Sequence, residues 1–267
     1  MARMEIKGKI RLKAFDLLQQ FKRDNVSRKT VIDKIHNGFG IPVGTLYDWY
    51  SNKFFPYGRK GKILCIPELF YVLGALLGDG CMYNWRVTNN YVILVGDFAF
   101  TKKYAEMVTK CTGVEARPYI DRNKNIWVVK SNNFELYSLF KKSRECLNFL
   151  EQLIQRSDKK SAILFIEGIF DAEGCVKIVK GKERRTPKIC LDITNTNFEI
   201  LELARVLLRD SLSIEARYSI QKPQGNRKLA YHLRIYKKDY VKRFFEGIST
   251  TKLKPQKVSY LESWVKN

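Results

Sequence analysis

Histidines and paired cysteines, two common sources of metal-binding and nucleophilic chemistry, are nearly missing from this sequence. His36 and His232 are the two histidines among 267 residues, and neither has a partner at metal-ligand spacing. We interpret both as structural or surface residues, because a histidine metal site needs several ligands close together. A histidine-based nuclease site is therefore not expected.

The cysteines form no CxxC pair, which excludes a zinc site with the usual ligand spacing. We interpret them as small buried hydrophobic residues of a reduced, intracellular protein. The six are Cys65, Cys81, Cys111, Cys146, Cys175 and Cys190.

Long apolar runs are also missing, and no stretch reaches the length that spans a membrane. The first residues, MARMEIKGKIRLK, are basic and no apolar run follows them, so a secretory signal is not expected. These absences predict an intracellular protein, cytoplasmic or organellar, without a membrane partner.

Acidic residues are scarce relative to basic ones. Lys and Arg total 49 against 27 Asp and Glu, a formal net charge of +22. Such self-repulsion is most simply explained by a polyanionic partner, although a basic surface kept for solubility is the alternative. The hydrophobic fraction of 45% is enough to bury a core. The length suits roughly two or three domains.

The sequence before residue 63 predicts a small helical domain. Ser27 can cap a second helix, glycines and Pro42 mark a turn after it, and a third helix follows. The segment SRKTVIDKIHNGFGIPVGTLYDWY resembles the helix-turn-helix pairs of transposases and small regulators, with a plain helical hairpin as the alternative. The resemblance makes Thr45, Tyr47, Asp48 and Tyr50 candidates for groove contact. A basic linker could track phosphates with Lys53, Arg59, Lys60 and Lys62.

An internal repeat occupies the rest of the chain. Each copy begins with an apolar helix that ends in an acid flanked by small residues, LFYVLGALLGDG in one and AILFIEGIFDAEG in the other. Two strands, an amphipathic helix, two more strands and a final helix follow in each copy. The pattern predicts an α+β fold with a helical domain over 1–62 and two αββαββα units over 63–157 and 158–267.

The helix that opens each copy carries small residues four positions apart. Such spacing lets two helix backbones approach closely. Glycine inside a helix costs roughly 1 kcal/mol relative to alanine, so it needs a reason of this kind. The sequence predicts a repeat interface formed by Gly74, Gly78, Gly168 and Ala172.

Parallel packing of those two helices would bring Asp79 and Glu173 side by side. Two neighbouring carboxylates repel each other unless cations bridge them. Mg²⁺ prefers oxygen ligands, and the last helix carbonyls, near Gly78 and Ala172, add oxygens at the negative end of each helix dipole. Mn²⁺ is an alternative cation, and Ca²⁺ is expected to bind without supporting catalysis. Metals so placed can activate water for phosphodiester cleavage.

These two helix ends resemble the LAGLIDADG motifs of homing endonucleases, as VLGALLGDG and IEGIFDAEG. The resemblance runs from Pro67 to the C-terminus, and the motif is specific because it occurs twice. It implies two motif helices packed at a pseudo-twofold axis and sheets that form a saddle over DNA. It also implies that Asp79 and Glu173 are the catalytic, metal-binding acids. The second copy departs from the motif by its Glu, and the sixth motif position is Leu77 in one copy and Asp171 in the other.

The resemblance implies further catalytic positions. A polar residue near the attacking water falls on Asp97 and Asn195 when the repeats are aligned by sequence. A basic residue at the end of the fourth strand falls on Lys237 in the second copy. The first copy has Asn132 there, with Lys130 nearby, and Lys177 is a further basic candidate.

The expected DNA face of the saddle would carry alternate residues of the strands. Arg pairs with guanine and Gln or Asn with adenine, while most basic residues contact phosphate, and a solvated surface position is the alternative for each. The first-copy candidates are Tyr83, Trp85, Arg117, Tyr119 and Arg122. The second-copy candidates are Lys180, Lys182, Arg184, Arg185, Lys188, Arg217, Ser219, Gln221, Gln224, Asn226 and Arg227.

The leading hypothesis is a monomeric, divalent-metal-dependent, intron-encoded endonuclease that cuts double-stranded DNA at a long pseudo-palindromic site. The first alternative is a DNA-binding transcription regulator that uses the helix-turn-helix and leaves the repeats inert. The second is a maturase whose partner is intron RNA. Retention of both acids favours the enzyme, because an unused carboxylate pair would only weaken the helix interface.

Overall fold

The computed structural model describes residues 2–53, 55–56, 61–85, 89–179, 188–221, 229–253, 257–258, 260–261 and 264. Contacts divide the chain into two compact units. The first comprises Met1–Ile63, Met82–Ile93 and Lys130–Leu139. The second comprises Leu64–Cys81, Leu94–Val129 and Phe140–Asn267. The first unit therefore contains the N-terminal helices together with parts of the first repeat.

The order of elements contains the αββαββα unit twice, so the predicted α+β repeat is confirmed. Three helices come first: α1 (Ala2–Arg23), α2 (Arg28–Phe39) and α3 (Val43–Tyr50). The first repeat comprises α4 (Pro67–Asp79), β1 (Gly80–Trp85), β2 (Asn89–Gly96), α5 (Phe98–Thr112), β3 (Tyr119–Asp121), β4 (Ile126–Ser131) and α6 (Phe134–Glu145). After α7 (Leu147–Gln155), the second comprises α8 (Lys159–Glu173), β5 (Gly174–Val179), β6 (Lys188–Asn195), α9 (Phe198–Leu212), β7 (Arg217–Gln221), β8 (Ala230–Ile235) and α10 (Lys238–Gly247).

Each repeat forms a four-stranded sheet with the same strand order. The first sheet is ordered β1-β2-β4-β3 and the second β5-β6-β8-β7. In the second sheet each neighbouring pair is antiparallel, with Asp192 opposite Arg234 and Arg217 opposite the same arginine. The two copies thus share both the order of their elements along the chain and the order of strands in the sheet.

The three N-terminal helices have a hydrophobic core of their own. Leu18, Ile35 and Trp49 are at most 1% exposed in this cluster. Ser27 caps α2 by accepting from the Thr30 N–H, as the sequence predicts. Gly40 ends that helix with φ 63°, a left-handed conformation that suits glycine. A short turn therefore joins α2 to α3.

The cysteines differ from the sequence interpretation. Cys111 and Cys190 are buried, but Cys65, Cys81, Cys146 and Cys175 are exposed. Cys81 and Cys175 follow the glycine that starts β1 and β5, where a strand residue alternates away from the packed face. All six cysteines are free. Within the described part of the chain, no helix is both long and apolar enough to cross a membrane.

Helices cover one face of the second sheet. On that face Leu191, Leu233 and Ile235 are each 1% exposed. Phe170 of α8 packs against Phe244 of α10, with ring centroids 4.7 Å apart. The alternate strand residues point to the opposite face, which we call the open face: Lys177 of β5, Asp192 of β6, Arg217, Ser219 and Gln221 of β7, and His232 and Arg234 of β8.

Candidate active site

Helices α4 and α8 lie against each other in parallel along their glycines. A Cβ built on Gly168 would lie 2.2 Å from the carbonyl oxygen of Tyr71. One built on Gly74 would lie 2.3 Å from the Phe165 oxygen, and one on Gly78 only 2.5 Å from the Ala172 Cβ. The residue numbers of the contacting pairs increase together along α4 and α8, so the two helices are parallel. Side chains larger than hydrogen at the first two glycines would force the helices apart.

The C-terminal ends of both helices therefore meet, and Asp79 and Glu173 are the last helical residues. A Cβ on Gly78 would also lie 2.9 Å from the Glu173 Cγ. Burial, followed by the negative charge of Asp79, raises the pKa of Glu173 to about 7. Burial raises the pKa of Asp79 as well, although the residue surface is exposed. Ionisation of the pair is therefore unfavourable, and a bound cation would offset the negative charge.

Asn195 orients Glu173 from the end of β6. Its Nδ2 donates to Glu173 Oε1 at 3.2 Å, and its Oδ1 accepts from the Asn197 N–H at 2.8 Å. The side chain is 9% exposed. Both ends of the amide are used, so the carboxylate is held in one direction.

Asp97 occupies a different position from Asn195. It caps α5, accepting from the Phe100 N–H at 2.9 Å. Asn197 caps α9 in the same way, by accepting from the Glu199 N–H. Asp97 and Asn197 each precede the first helical phenylalanine, so Asp97 corresponds to Asn197. The turn before α9 is one residue longer than the turn before α5, so Asp97 caps its helix whereas Asn195 contacts Glu173.

A cation that the sequence did not suggest lies near both carboxylates. The charge of Lys252 opposes the increase in the pKa of Asp79 and of Glu173. Its ammonium also lies 5.7 Å from the ring centre of Phe100. Lys252 follows α10 in a turn with no motif, so only the fold places it here.

The turn that carries Lys252 is fastened to α8 by a buried carboxylate. Asp171 is fully buried and accepts from the Thr250 hydroxyl at 2.6 Å and the Thr251 N–H at 2.7 Å. It also accepts from the Tyr71 hydroxyl at 2.8 Å and pairs with Lys103 at 3.0 Å. The acid at the sixth motif position therefore holds the C-terminal turn in place.

A second buried acid completes this attachment. Glu167 is 4% exposed, pairs with Lys103 at 2.7 Å and accepts from the Ser249 N–H at 3.0 Å. Lys103 also donates to the Ser249 carbonyl. Because one lysine serves two acids and a carbonyl, no charge in this cluster is buried without a partner.

A cavity of about 240 Å³ adjoins the second carboxylate. Gly78, Glu173 and Asn195 line it together with Arg144, near the end of α6. The exposed guanidinium of Arg144 is a second basic group that sequence reasoning missed, since nothing in its local sequence marks it.

Each basic residue predicted from the resemblance has a partner of its own. Lys177 is paired with Asp192 at 2.5 Å on the open face. Lys237 precedes α10, with its ammonium 5.0 Å from the ring centre of Tyr240. Lys130 lies in the first unit, 3.7 Å from the ring centre of Tyr91.

The open face of the second sheet collects basic and amide side chains. Lys188, Arg217 and Gln221, all predicted DNA contacts, are exposed there, and Ser219 is partly exposed. Asp192 lies fully buried beneath them. Burial would raise its pKa, but hydrogen bonds from Lys177 and His232 outweigh burial and lower it. The alternation in AYHLRIY is a signal that could have placed His232 and Arg234 on this face.

The remaining predicted DNA contacts are scattered over other elements. Arg117 makes a bidentate pair with Glu115 at 2.7 and 2.8 Å. Tyr119 is 49% exposed on β3, and Arg122 is exposed in the turn after it. In the first unit Tyr83 is 44% exposed on β1. Outside the described residues lie Arg59, Lys60, Lys180, Lys182, Arg184, Arg185, Gln224, Asn226 and Arg227, and the side chain of Trp85 is likewise not described.

The helix-turn-helix candidates lie on α3 in the first unit. Tyr47 is 40% exposed, and Arg28 places its guanidinium 4.5 Å from that ring centre. Thr45 is partly exposed near the start of α3. The helix begins at Val43, directly after Pro42.

The chain is similar in sequence to known proteins over most of its length. Residues 160–249 match the family described as a LAGLIDADG-like domain. Over 249 residues the chain is 26% identical to the uncharacterized protein MJ0398 of Methanocaldococcus jannaschii, covering 86% of this chain and 84% of that protein.

Two solved structures are similar in fold. The homing endonuclease I-DmoI in complex with DNA and Ca has a TM-score of 0.51 at 18% identity, covering 73% of this chain and 97% of that one. A variant of I-DmoI in complex with its target DNA, in the presence of 2 mM Mn, has a TM-score of 0.50 at 18% identity, covering 69% and 97%.

Proposed function

From a fold of the LAGLIDADG homing-endonuclease type, we propose that this chain is a site-specific endonuclease that hydrolyses phosphodiester bonds in double-stranded DNA. The observation that carries the proposal is the meeting of Asp79 and Glu173 at the ends of two parallel helices. Each carboxyl has a raised pKa, and the charge of Asp79 contributes to the shift at Glu173. Because the repulsion between two carboxylates is destabilising, it is not expected at a helix contact that is only structural.

The residues at the helix ends fit a divalent cation with oxygen ligands. Two carboxylates lie at the adjoining ends of α4 and α8. Mg²⁺, Mn²⁺ and Ca²⁺ prefer oxygen ligands of this kind. In the described part of the chain no group of three His, Cys, Asp or Glu side chains gathers, so DNA phosphate and main-chain oxygens such as those of Gly78 and Ala172 would complete the ligands. A cation bound there would polarise the phosphodiester and activate water.

The protein groups around the pair have separable roles in this proposal. Asn195 holds Glu173 in one orientation through its 3.2 Å hydrogen bond. Lys252 offsets part of the negative charge of the pair and can accompany a DNA phosphate. Arg144, which lines the adjoining cavity, offers a second phosphate contact.

DNA binding follows from the charge and from the open face. The net charge of +22 favours a polyanion. Arg217 and Gln221 are exposed on one sheet face, where alternate residues can reach a groove. We propose that one chain suffices, because both carboxylates belong to it.

A direct test incubates the full chain with a pool of randomised duplexes and Mg²⁺, and sequences the ends produced. The expected result is cutting at one long site by the wild type. Asp79→Asn and Glu173→Gln should lower the cutting rate by on the order of a thousand-fold, since each removes a charge from the reacting centre. Glu246→Gln, at an exposed glutamate on α10, is the matched control and should cut normally.

Three outcomes would change the proposal. Sequence-specific binding without cutting would favour the transcription regulator, with the α2–α3 pair as its reader. Selective binding of structured RNA, with no selection among duplexes, would favour the maturase. Normal cutting by Asp79→Asn would show that the site assignment is wrong.

A further inference from the structure

The open face of the second sheet carries a hydrogen-bonded network of side chains. Aromatic contacts with α9 identify the opposite face of the sheet. Phe198 of α9 lies 5.0 Å from the Tyr218 ring and 5.3 Å from the Tyr231 ring. Because strand side chains alternate, Gln221 of β7 and His232 of β8 point away from α9.

His232 lies at the centre of this network and is 5% exposed. Its Nδ1 is 3.0 Å from Asp192 Oδ1 and 3.0 Å from the Thr194 hydroxyl. Its Nε2 is 3.0 Å from the side-chain oxygen of Gln221. The ring therefore connects a fully buried carboxylate to an exposed amide.

The charged partner of the ring, Asp192, has cations of its own from the neighbouring strands. Lys177 from β5 pairs with Asp192 at 2.5 Å, and Arg234 from β8 pairs with it at 3.3 Å. Arg217 from β7 lies opposite Arg234. Lys177 and Arg234 share Asp192 as their acid, so Asp192 remains ionised and accepts a hydrogen bond from the Nδ1–H of His232.

The state of Nε2 then decides how the Gln221 amide is oriented. With Nδ1–H donated to Asp192, Nε2 is an acceptor in a neutral ring and a donor in a protonated ring. The Gln221 oxygen faces Nε2, and this arrangement suits the protonated ring. A neutral ring requires the amide to turn over so that its NH₂ group donates instead.

We propose that Gln221 reads one base pair of DNA through an amide whose outward donor and acceptor exchange places with the protonation state of His232. This depends on the proposed function only in requiring that the open face contacts DNA. A glutamine amide offers one donor and one acceptor to a base edge, and adenine matches them in one order. Asp192 and His232 are positioning residues, since they act on DNA through Gln221.

The test selects bound duplexes from a randomised pool with EDTA present, so that binding is read without cutting. Selection with the wild type is carried out at about pH 5.5 and about pH 8, on either side of the range in which histidine usually titrates. The expected result is a change of preferred base at one position, by roughly ten-fold or more, while other positions keep their preferences.

Three variants separate reading from folding. Gln221→Ala, at an exposed residue, should lose the preference at that position alone. His232→Gln should hold one preference at both pH values, because an amide does not change its protonation state. Ile220→Ala, at an exposed residue of β7 that faces the other side of the sheet, is the matched control and should keep the pH-dependent change.

A fourth variant, Gln221→Glu, tests the proposal even if His232→Gln does not fold. Gln221→Glu offers only acceptors when ionised, so its preference should move toward a base that donates, such as cytosine, at about pH 8. Thermal unfolding of each variant identifies losses that come from the fold.

Contradictory outcomes are distinct from those for the nuclease. An unchanged preference in Gln221→Ala, or a pH-dependent change that persists in His232→Gln, overturns this inference even if the protein cuts DNA. Selective binding without cutting contradicts the nuclease and leaves the role of Gln221 intact. A protein with no base preference at any position overturns the inference as well.

Discussion

At the scale of single residues, the fold disfavours the negative charge of Glu173. Its pKa is raised from 4.5 to about 7, first by burial and then by Asp79. The folded state therefore prefers the protonated acid. This group lowers the free energy of unfolding progressively as pH rises from about 4.5 to about 7, and the penalty is constant above that range.

Glu173→Gln should accordingly stabilise the metal-free protein at about pH 8, by on the order of 2 kcal/mol, and should have little such effect at about pH 4. The amide keeps the shape of the side chain and removes the charge. Thermal unfolding in EDTA at both pH values measures the difference. A stability gain that is equal at both pH values would contradict the charge explanation.

Lys252 should shift the same titration in the opposite direction. Its positive charge lowers the pKa of both carboxyl groups, so Lys252→Met should raise the pKa of Glu173 further. The carboxyl ¹³C shift of Glu173, followed against pH in metal-free protein, reports the change. Lys102→Met, at an exposed lysine of α5, is the control. An unchanged titration of Glu173 in Lys252→Met would show that Lys252 does not act on this carboxyl group.

At the scale of elements, the packing of α4 on α8 depends on hydrogen atoms at two glycines. A Cβ at position 168 would lie 2.2 Å from a main-chain oxygen of the facing helix, and one at position 74 would lie 2.3 Å from another. Main-chain atoms of a packed helix cannot move aside as a flexible side chain can. The separation of the two helices, and with it that of the carboxylates, follows from these contacts.

Gly168→Ala should therefore destabilise the protein by about 3 kcal/mol or more, as overpacking does in tight cores. Gly38→Ala is the matched control, since it lies in helix α2 with nothing within 4 Å of its added Cβ. The control should gain stability by up to about 1 kcal/mol, because alanine favours helix. Urea unfolding of both variants compares them, and similar effects at both positions would contradict the close approach.

The buried acids of α8 have an element-scale role as well. Asp171 and Glu167 fasten the turn after α10 through Thr250, Thr251 and Ser249. Helix α8 thus contributes one of the two end carboxylates and also fixes the segment that carries Lys252. The two functions lie on the same helix because its buried side faces both α4 and the C-terminal turn.

At the scale of the whole molecule, the excess of positive charge should make DNA binding strongly dependent on salt. The net charge is +22, and each phosphate contact releases counterions. We expect the affinity for duplex DNA to fall by about a thousand-fold between about 50 and about 200 mM salt.

Arg217→Gln should reduce the slope of log affinity against log salt by about one, because one phosphate contact is lost. Lys242→Gln, on α10 at the covered side of the sheet, should leave the slope unchanged. Fluorescence anisotropy over a salt series measures both slopes. Equal slopes for the two variants would show that the open face does not contact DNA.

The sequence by itself determined the repeat, its α+β class and the two helices that end in acids. Each of these depends on local patterns: helical and strand periodicity, small residues at four-residue spacing, and an acid at a helix end. The resemblance of VLGALLGDG and IEGIFDAEG to one family followed from the same short segments.

Only the tertiary structure decided which other side chains gather around those acids. Lys252 and Arg144 come from segments without a motif, and Asp171 meets Tyr71 across 100 positions. The pairing of His232 with Asp192 spans 40 positions. Such contacts arise from helix packing and strand register, which depend on the whole chain at once, so no local pattern encodes them.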